Sequence, residues 1–175
     1  MKAGIICTNG LEECEALVTY DLLYRAGIEV KLIGTDKIIK SSHNVEFISQ
    51  ILIDDFDYQN YDCLILPGGM PGTKNLEANR KVSDIIDYFV DNGKYIAAIC
   101  AAPSILNHKG LLKEEKFICF PGFEEGLKTA SSKAYTDNRI ITAKGLGAAF
   151  EFSYEIIKSL ISEDKAKEVV SNIQY

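Results

Sequence analysis

Short apolar runs alternate with amphipathic segments of helical period along the whole of this 175-residue chain, and that alternation limits the folds open to it. Ala3–Thr8, Ile28–Gly34, Asp62–Leu66 and Lys94–Cys100 read as strands. The first is closed by Asn9-Gly10 and the third by Pro67-Gly68-Gly69. Strands with consecutive apolar residues are buried on both faces, as in a parallel sheet covered by helices. Between the first two strands, Glu12–Ala26 carries Ala16, Leu17, Tyr20, Leu23 and Tyr24 at helical spacing. Its first turn holds Glu12, Glu13 and Glu15, where the helix dipole favours acids, and Gly27 suits the C′ position. Asn79–Asn92 reads as a second helix with Val82, Ile85, Ile86, Phe89 and Val90 on one side. Ala102–His108, Leu146–Ile161 and Glu163–Asn172 read as further helices, and Lys116–Phe120 and Arg139–Ala143 as further strands.

Strand, helix, strand in that order requires parallel pairing with crossover connections. Residues 37–53 break the rhythm. Lys37–Ser41 and Val45–Ile53 flank Ser42-His43-Asn44 and read as an inserted β-hairpin. No repeat, linker or low-complexity tract divides the chain, so residues 1–175 are expected to form one α/β domain. Its sheet is expected to be doubly wound and mainly parallel. In such folds ligands sit at the carboxyl ends of strands, near a topological switch point.

Charge narrows the function classes. With 19 basic and 25 acidic side chains the net charge is −6, which argues against nucleic-acid binding. Hydrophobic residues make up 47% of the chain, spread in short runs, so neither disorder nor a membrane span is expected. The N-terminal MKAGIICTNG has too short an apolar run for a secretory signal, so a cytoplasmic, reducing compartment is expected. The cysteines at 7, 14, 63, 100 and 119 lack CxxC spacing and zinc-like histidine intervals, so neither a metal nor any other cofactor is expected. Any Cys-His mechanism must draw on His43 or His108, the two histidines present.

One cysteine stands apart. In Ala97-Ala98-Ile99-Cys100-Ala101-Ala102-Pro103 a strand runs into a helix through a single residue with small neighbours. A nucleophile elbow needs that pattern, because the sharp turn admits only small flanking side chains and lifts the central one above the sheet. Pro103 suits the first helical turn, and a thiol at a helix N-terminus has its thiolate favoured. Cys100 is therefore read as functional rather than as one more buried thiol. Pro67-Gly68-Gly69-Met70-Pro71-Gly72 follows a strand and offers backbone N–H groups to an oxyanion, a weaker signal. Gly145-Leu146-Gly147-Ala148 lacks the third glycine of a dinucleotide fingerprint and reads as a close strand-to-helix turn.

Taken together, the ordered segments resemble the ThiJ/PfpI superfamily, and within it the branch of the parkinsonism-associated protein and its bacterial chaperone-like relatives. The resemblance rests on Gly10-Leu11-Glu12-Glu13-Cys14-Glu15-Ala16, Arg25-Ala26-Gly27, Leu66-Pro67-Gly68-Gly69, the Cys100 segment, and Gly145-Leu146-Gly147 through Phe150-Glu151-Phe152. It covers nearly the whole chain. It implies a flavodoxin-like three-layer sandwich, a homodimer, a reactive cysteine matching Cys100 and a glutamate in the first helix matching Glu15. It also implies an anion pocket built from backbone N–H groups of Gly68, Gly69 and Ala101. His43 and Arg25 are auxiliary candidates. A buried carboxyl beside a thiolate would stay protonated and could donate to the sulfur, lowering the thiol pKa. Many members carry a His on the segment corresponding to Lys116–Pro121, where this chain has Phe120; the protease-like branch has a His after the cysteine, where this chain has Ala101. A peptidase is therefore not expected.

Two functions follow from the resemblance. One is a cysteine-dependent, glutathione-independent glyoxalase-like enzyme or deglycase acting on methylglyoxal-type 2-oxoaldehydes or their adducts. The other is a redox-sensing, stress-protective, chaperone-like protein with an oxidisable Cys100 and little turnover.

Overall fold

The computed structural model describes residues 1–175. The chain forms β1 (Lys2–Cys7), α1 (Glu13–Arg25), β2 (Glu29–Gly34), β3 (Ile38–Lys40), β4 (Glu46–Ile48), β5 (Ile51–Leu52), β6 (Cys63–Leu66), α2 (Gly72–Ala78) and α3 (Arg80–Asp91). It continues with β7 (Tyr95–Ile99), α4 (Pro103–His108), β8 (Ala134–Asp137), β9 (Ile140–Ala143), α5 (Ala149–Leu160) and α6 (Glu163–Asn172). The main sheet has the order β5-β2-β1-β6-β7-β9-β8 and is parallel except for the β8/β9 pair. Helices cover both faces, giving the three-layer, flavodoxin-like α/β sandwich.

Alternation along the central strands builds two cores. Ala3, Ile5 and Cys7 of β1, Cys63 and Ile65 of β6, and Ala97 and Ile99 of β7 face one way. They pack with Ala16, Leu22 and Leu23 of α1 and with Phe152, Ile156 and Ile157 of α5. Ile6, Leu64, Leu66, Ile96 and Ala98 face the other way, onto Val82, Ile85, Ile86 and Phe89 of α3 and Ile105 and Leu106 of α4. Both faces are dry, which is why these strands read as continuous apolar runs. Sheet order reverses at β1, whose neighbours are β2 and β6. The carboxyl ends of β1, β6 and β7 therefore meet at the switch point.

Several expectations need correction. The apolar run Val45–Ile53 is two strands: β4 pairs with β3 in a separate two-stranded sheet, and β5 joins the edge of the main sheet against β2. Lys116–Phe120 forms no strand. Its Phe117, Ile118 and Cys119 are buried, but Ile118 N–H donates to the Thr142 hydroxyl at 2.9 Å instead of to a ladder carbonyl. The antiparallel edge strand β8 and the short helix α2 were not expected. Leu146–Ala148 is a 3₁₀ turn that leads into α5. Val90 is exposed at the end of α3, and Leu17 and Tyr24 of α1 face outward. No helix is long and apolar enough to cross a membrane.

Candidate active site

Cys100 is the residue between β7 and the turn into α4, and its φ of +65° is left-handed. A non-glycine side chain at such a φ is strained, and the surrounding bonds hold it there. Cys100 N–H donates to Ala143 O of β9 at 3.0 Å, and Phe120 N–H donates to Cys100 O at 2.8 Å. Ala101 and Ala102 are buried beside the elbow, where the sharp turn favours small residues. Cys100 is partly exposed, whereas Cys7, Cys63 and Cys119 are buried and Cys14 lies exposed on α1.

Glu15 reaches the elbow from α1. It lies on the buried stripe of that helix with Ala16, Thr19, Leu22 and Leu23, and it is 1% exposed. Its Oε2 accepts the Gly68 backbone N–H at 2.8 Å. Oε1 is buried without a hydrogen-bond partner. Gly68 is the point of closest approach: a Cβ there would stand 2.9 Å from Glu15 Oε2 and 2.5 Å from Cys100 Cβ. Only glycine fits between the acid and the nucleophile.

Burial pushes the Glu15 carboxyl up to about 7, against the pull of the Gly68 N–H, Cys100 and the Leu146 N–H. Burial, together with an ionised Glu15, pushes the Cys100 thiol up to about 12, while the N–H groups of Gly69 and Ala101 pull it down. A lowered thiol pKa was expected; desolvation outweighs the two donors. The two charges oppose each other. With the proton on Glu15, the charge that opposes the thiolate is gone and the carboxyl becomes a donor. Burial also raises the thiols of Cys7, Cys63 and Cys119, and burial with the nearby acids raises Cys14. None of these four has backbone donors that favour its thiolate. Cys100 is thus the thiol whose anion is solvated by the protein.

The structure brings Cys100, Glu15, Gly68, Gly69 and Ala101 into one site, but the Gly68 N–H expected in the anion pocket is taken by Glu15 Oε2, which leaves the Gly69 and Ala101 N–H groups for the sulfur. It does not bring His43, His108 or Arg25 there. His43, exposed on the β3–β4 turn, bonds Glu13 Oε2 at 3.2 Å and lies 3.3 Å from Glu12 Oε2. Its bond to Glu13 and the charges of both acids raise its pKa. Glu12, Glu13 and His43 bring potential metal-ligand atoms within 4.8 Å of one another, an arrangement their mutual ion pairing already accounts for. His108 pairs with Glu77 and Glu125. Arg25 Nε donates to Asp21 at 2.7 Å at the far end of α1. Phe120, which sequence reasoning treated as a missing histidine, borders the site with its ring beside Gly145. Lys144 and Leu146, on the turn after β9, line the groove next to it; sequence reasoning did not single out Lys144, because an isolated lysine after a strand gives no signal.

Known proteins resemble this chain in sequence and fold. The model of the DJ-1/PfpI family matches residues 1–159. The Caenorhabditis elegans protein named glutathione-independent glyoxalase DJR-1.2 is 30% identical over 165 residues, covering 91% of this chain and 88% of the relative. Arabidopsis thaliana DJ-1 homolog B is 30% identical over 175 residues and 96% of this chain, which spans only 40% of that longer protein. The structure of oxidised Toxoplasma gondii DJ-1 superposes with a TM-score of 0.94 at 30% identity, over 99% of this chain and 98% of that one. The family model spans most of the chain, and the chain belongs to the DJ-1/PfpI family.

Proposed function

We propose that the chain is a glutathione-independent, glyoxalase-like enzyme or deglycase that acts on methylglyoxal-type 2-oxoaldehydes or their adducts. The observation that carries this reading is the Glu15 carboxyl, raised to about 7 and buried against the Cys100 elbow. An acid of that strength can give and take a proton near neutral pH.

The chemistry needs no external oxidant. Cys100 thiolate adds to the aldehyde carbon; the C–S bond forms, and the carbonyl electron pair moves to oxygen. Backbone N–H groups of Gly69 and Ala101 hold the oxyanion. Glu15, carrying the thiol's proton, gives it to the oxyanion; as carboxylate it then takes the proton from the former aldehyde carbon, giving an enediolate, and returns it to the neighbouring carbon while the hydroxyl proton passes from the first oxygen to the second. The first carbon is thereby oxidised to a thioester and the second reduced to an alcohol. Water cleaves the thioester, releasing a 2-hydroxy acid and the thiol. In the deglycase variant the adduct is a hemiaminal: its C–N bond breaks as Glu15 protonates the nitrogen, the protein amine leaves, and the thiolate adds to the aldehyde so freed. A homodimer in a reducing cytoplasm is part of the proposal. The His43–Glu13 bond holds the β3–β4 turn against α1, and the exposed Val45 beside that turn and Leu17 on α1 offer apolar surface to a second copy. Purified protein incubated with methylglyoxal should yield lactate, and a yield no higher than that of Cys100→Ser sinks the proposal.

A second reading is favoured by Phe120. No imidazole borders the sulfur, so slow turnover and stoichiometric oxidation fit the same site. Each of two peroxide molecules gives one oxygen to sulfur as its O–O bond breaks and water leaves, taking the thiolate to a sulfinate. Mass spectrometry after mild peroxide should then find sulfinate on Cys100 ahead of the other four cysteines.

A further inference from the structure

We propose that the groove beside Cys100 is a subsite for an apolar group ending in an anion, with Phe120 and Leu146 as its walls and Lys144 as its charge. The proposal rests on the reading of Cys100 as the reacting group and names the class of carbonyl compound that group would meet. The groove has a volume of about 470 Å³ and is lined by Phe120, Pro121, Lys133, Lys144 and the turn that begins at Gly145.

Three observations give it direction. The first is the floor. Gly145 lines the groove, and a Cβ on it would stand 3.8 Å from Cys100 Sγ and 3.3 Å from Phe120 Cδ2. With φ at +155° and no side chain, Gly145 leaves free the space that a Cβ would take within contact of Cys100 Sγ. The second is the walls. Phe120 is 49% exposed and Leu146 47%, although both are large hydrophobes that gain by being covered. The third is the charge. No acidic residue lines the groove, and it has two cations. Lys133 Nζ donates to Glu151 Oε1, which also accepts from the Tyr175 hydroxyl, so that cation is neutralised. The Lys144 ammonium makes no ion pair or side-chain hydrogen bond.

An uncompensated ammonium at the edge of an apolar, concave surface favours a ligand with a flat apolar body and a carboxylate end. Methylglyoxal is too small to use either wall. The best-fitting substrates are therefore aryl- or alkylglyoxals whose far end carries a carboxylate. Their carbonyl carbon would lie at Cys100 and their tail along Phe120.

Binding can be read without turnover. Iodoacetamide alkylation of Cys100 is followed by mass spectrometry in the presence of phenylacetate or 3-phenylpropanoate, and of their neutral amides. The acids should protect Cys100 several-fold better than the amides, Lys144→Met should abolish the difference, and Lys144→Glu should reverse it. Equal protection by acids and amides in the wild type, or a preference that survives in Lys144→Met, overturns the subsite. Circular dichroism confirms that the exposed position tolerates the changes. In a parallel arm, kcat/KM for 4-carboxyphenylglyoxal should exceed that for phenylglyoxal, with Lys144→Met raising KM more than it lowers kcat. Protection that depends on Lys144 without turnover of any glyoxal would uphold the subsite and sink the enzymatic reading instead.

Discussion

Gly68 donates its backbone N–H to Glu15 Oε2 at 2.8 Å, a bond that joins residues 53 positions apart and fixes the acid beneath the nucleophile. An added methyl group at Gly68 would stand 2.5 Å from Cys100 Cβ and 2.8 Å from Ile99 O. Neither neighbour is the free end of a flexible side chain, so the elbow or the loop after β6 must move. Gly68→Ala is expected to destabilise the fold by about 1–3 kcal/mol, the usual cost of overpacking. It should also slow alkylation of Cys100. Urea unfolding and thiol-probe kinetics check both, and wild-type values for the two would contradict the close approach.

Glu15 makes stability depend on pH. Its carboxyl rises from an ordinary 4.5 to about 7 on folding, chiefly through burial. The folded chain therefore keeps a proton that the unfolded chain releases across that interval. The contribution is fully present below about 4.5 and is lost as pH rises through about 7. The loss is on the order of 3 kcal/mol. Glu15→Gln carries no charge to desolvate, and its amide oxygen can still accept from Gly68. Its stability relative to wild type should improve by about 1–3 kcal/mol between mildly acidic and mildly alkaline solution. Urea midpoints at both ends of the range test this, and parallel pH dependences for the two proteins reject it.

Much of the fold was legible because the central strands are dry on both faces. Ala3–Cys7, Cys63–Leu66 and Tyr95–Ile99 are unbroken apolar runs that no other element type explains as well. The edges were not legible for the converse reason. Ala134–Asp137 is half-exposed throughout, and its ladder with β9 leaves no apolar pattern to read. Lys116–Phe120 misled because burial of Phe117, Ile118 and Cys119 mimics a strand, while the backbone is satisfied by a threonine hydroxyl and by loop partners. On α1 the apolar spacing of Ala16, Leu17, Tyr20, Leu23 and Tyr24 straddles two faces, and only Ala16 and Leu23 of the five are buried. The buried stripe runs through Glu15, Ala16, Thr19, Leu22 and Leu23, so the acid that matters lies where a hydrophobe would be expected. Of the site itself, the Cys100 elbow was readable from its small neighbours. Its thiol pKa was not, because desolvation depends on residues far away in the chain.

The reactivity of Cys100 should follow the pair and not the thiol alone. With Glu15 titrating near 7 and the thiol, opposed by ionised Glu15, near 12, the two titrate as a coupled pair, and the first proton lost leaves one negative charge on it. If the resulting single negative charge is shared with sulfur, alkylation rates rise through about pH 7 and then level off. A free thiol would keep gaining through about pH 9. Glu15→Gln should remove the step near 7 and leave one titration set by burial and the Gly69 and Ala101 donors. A rate that climbs without a plateau to strongly alkaline pH would show that the charge stays on Glu15 and that the elbow is unreactive at rest.

Phe120 offers the most direct test of what this site lacks. Its ring edge lies 3.3 Å from where a Gly145 Cβ would stand, and that point is 3.8 Å from Cys100 Sγ. An imidazole on the same backbone would face the same gap. Its backbone position is fixed, since Phe120 N–H donates to Cys100 O at 2.8 Å. Beside a carboxylate and a developing thiolate, the imidazole would be held protonated, and an opposite charge that close lowers an acid's pKa by about 1–3 units. Phe120→His should therefore raise the alkylation rate of Cys100 near neutral pH about tenfold or more, while the ring keeps the groove wall in place. Lactate formation from methylglyoxal should rise with it, because a second proton carrier then stands opposite Glu15. A Phe120→His protein with native circular dichroism and an unchanged alkylation rate would place the ring outside the electrostatic reach of the sulfur.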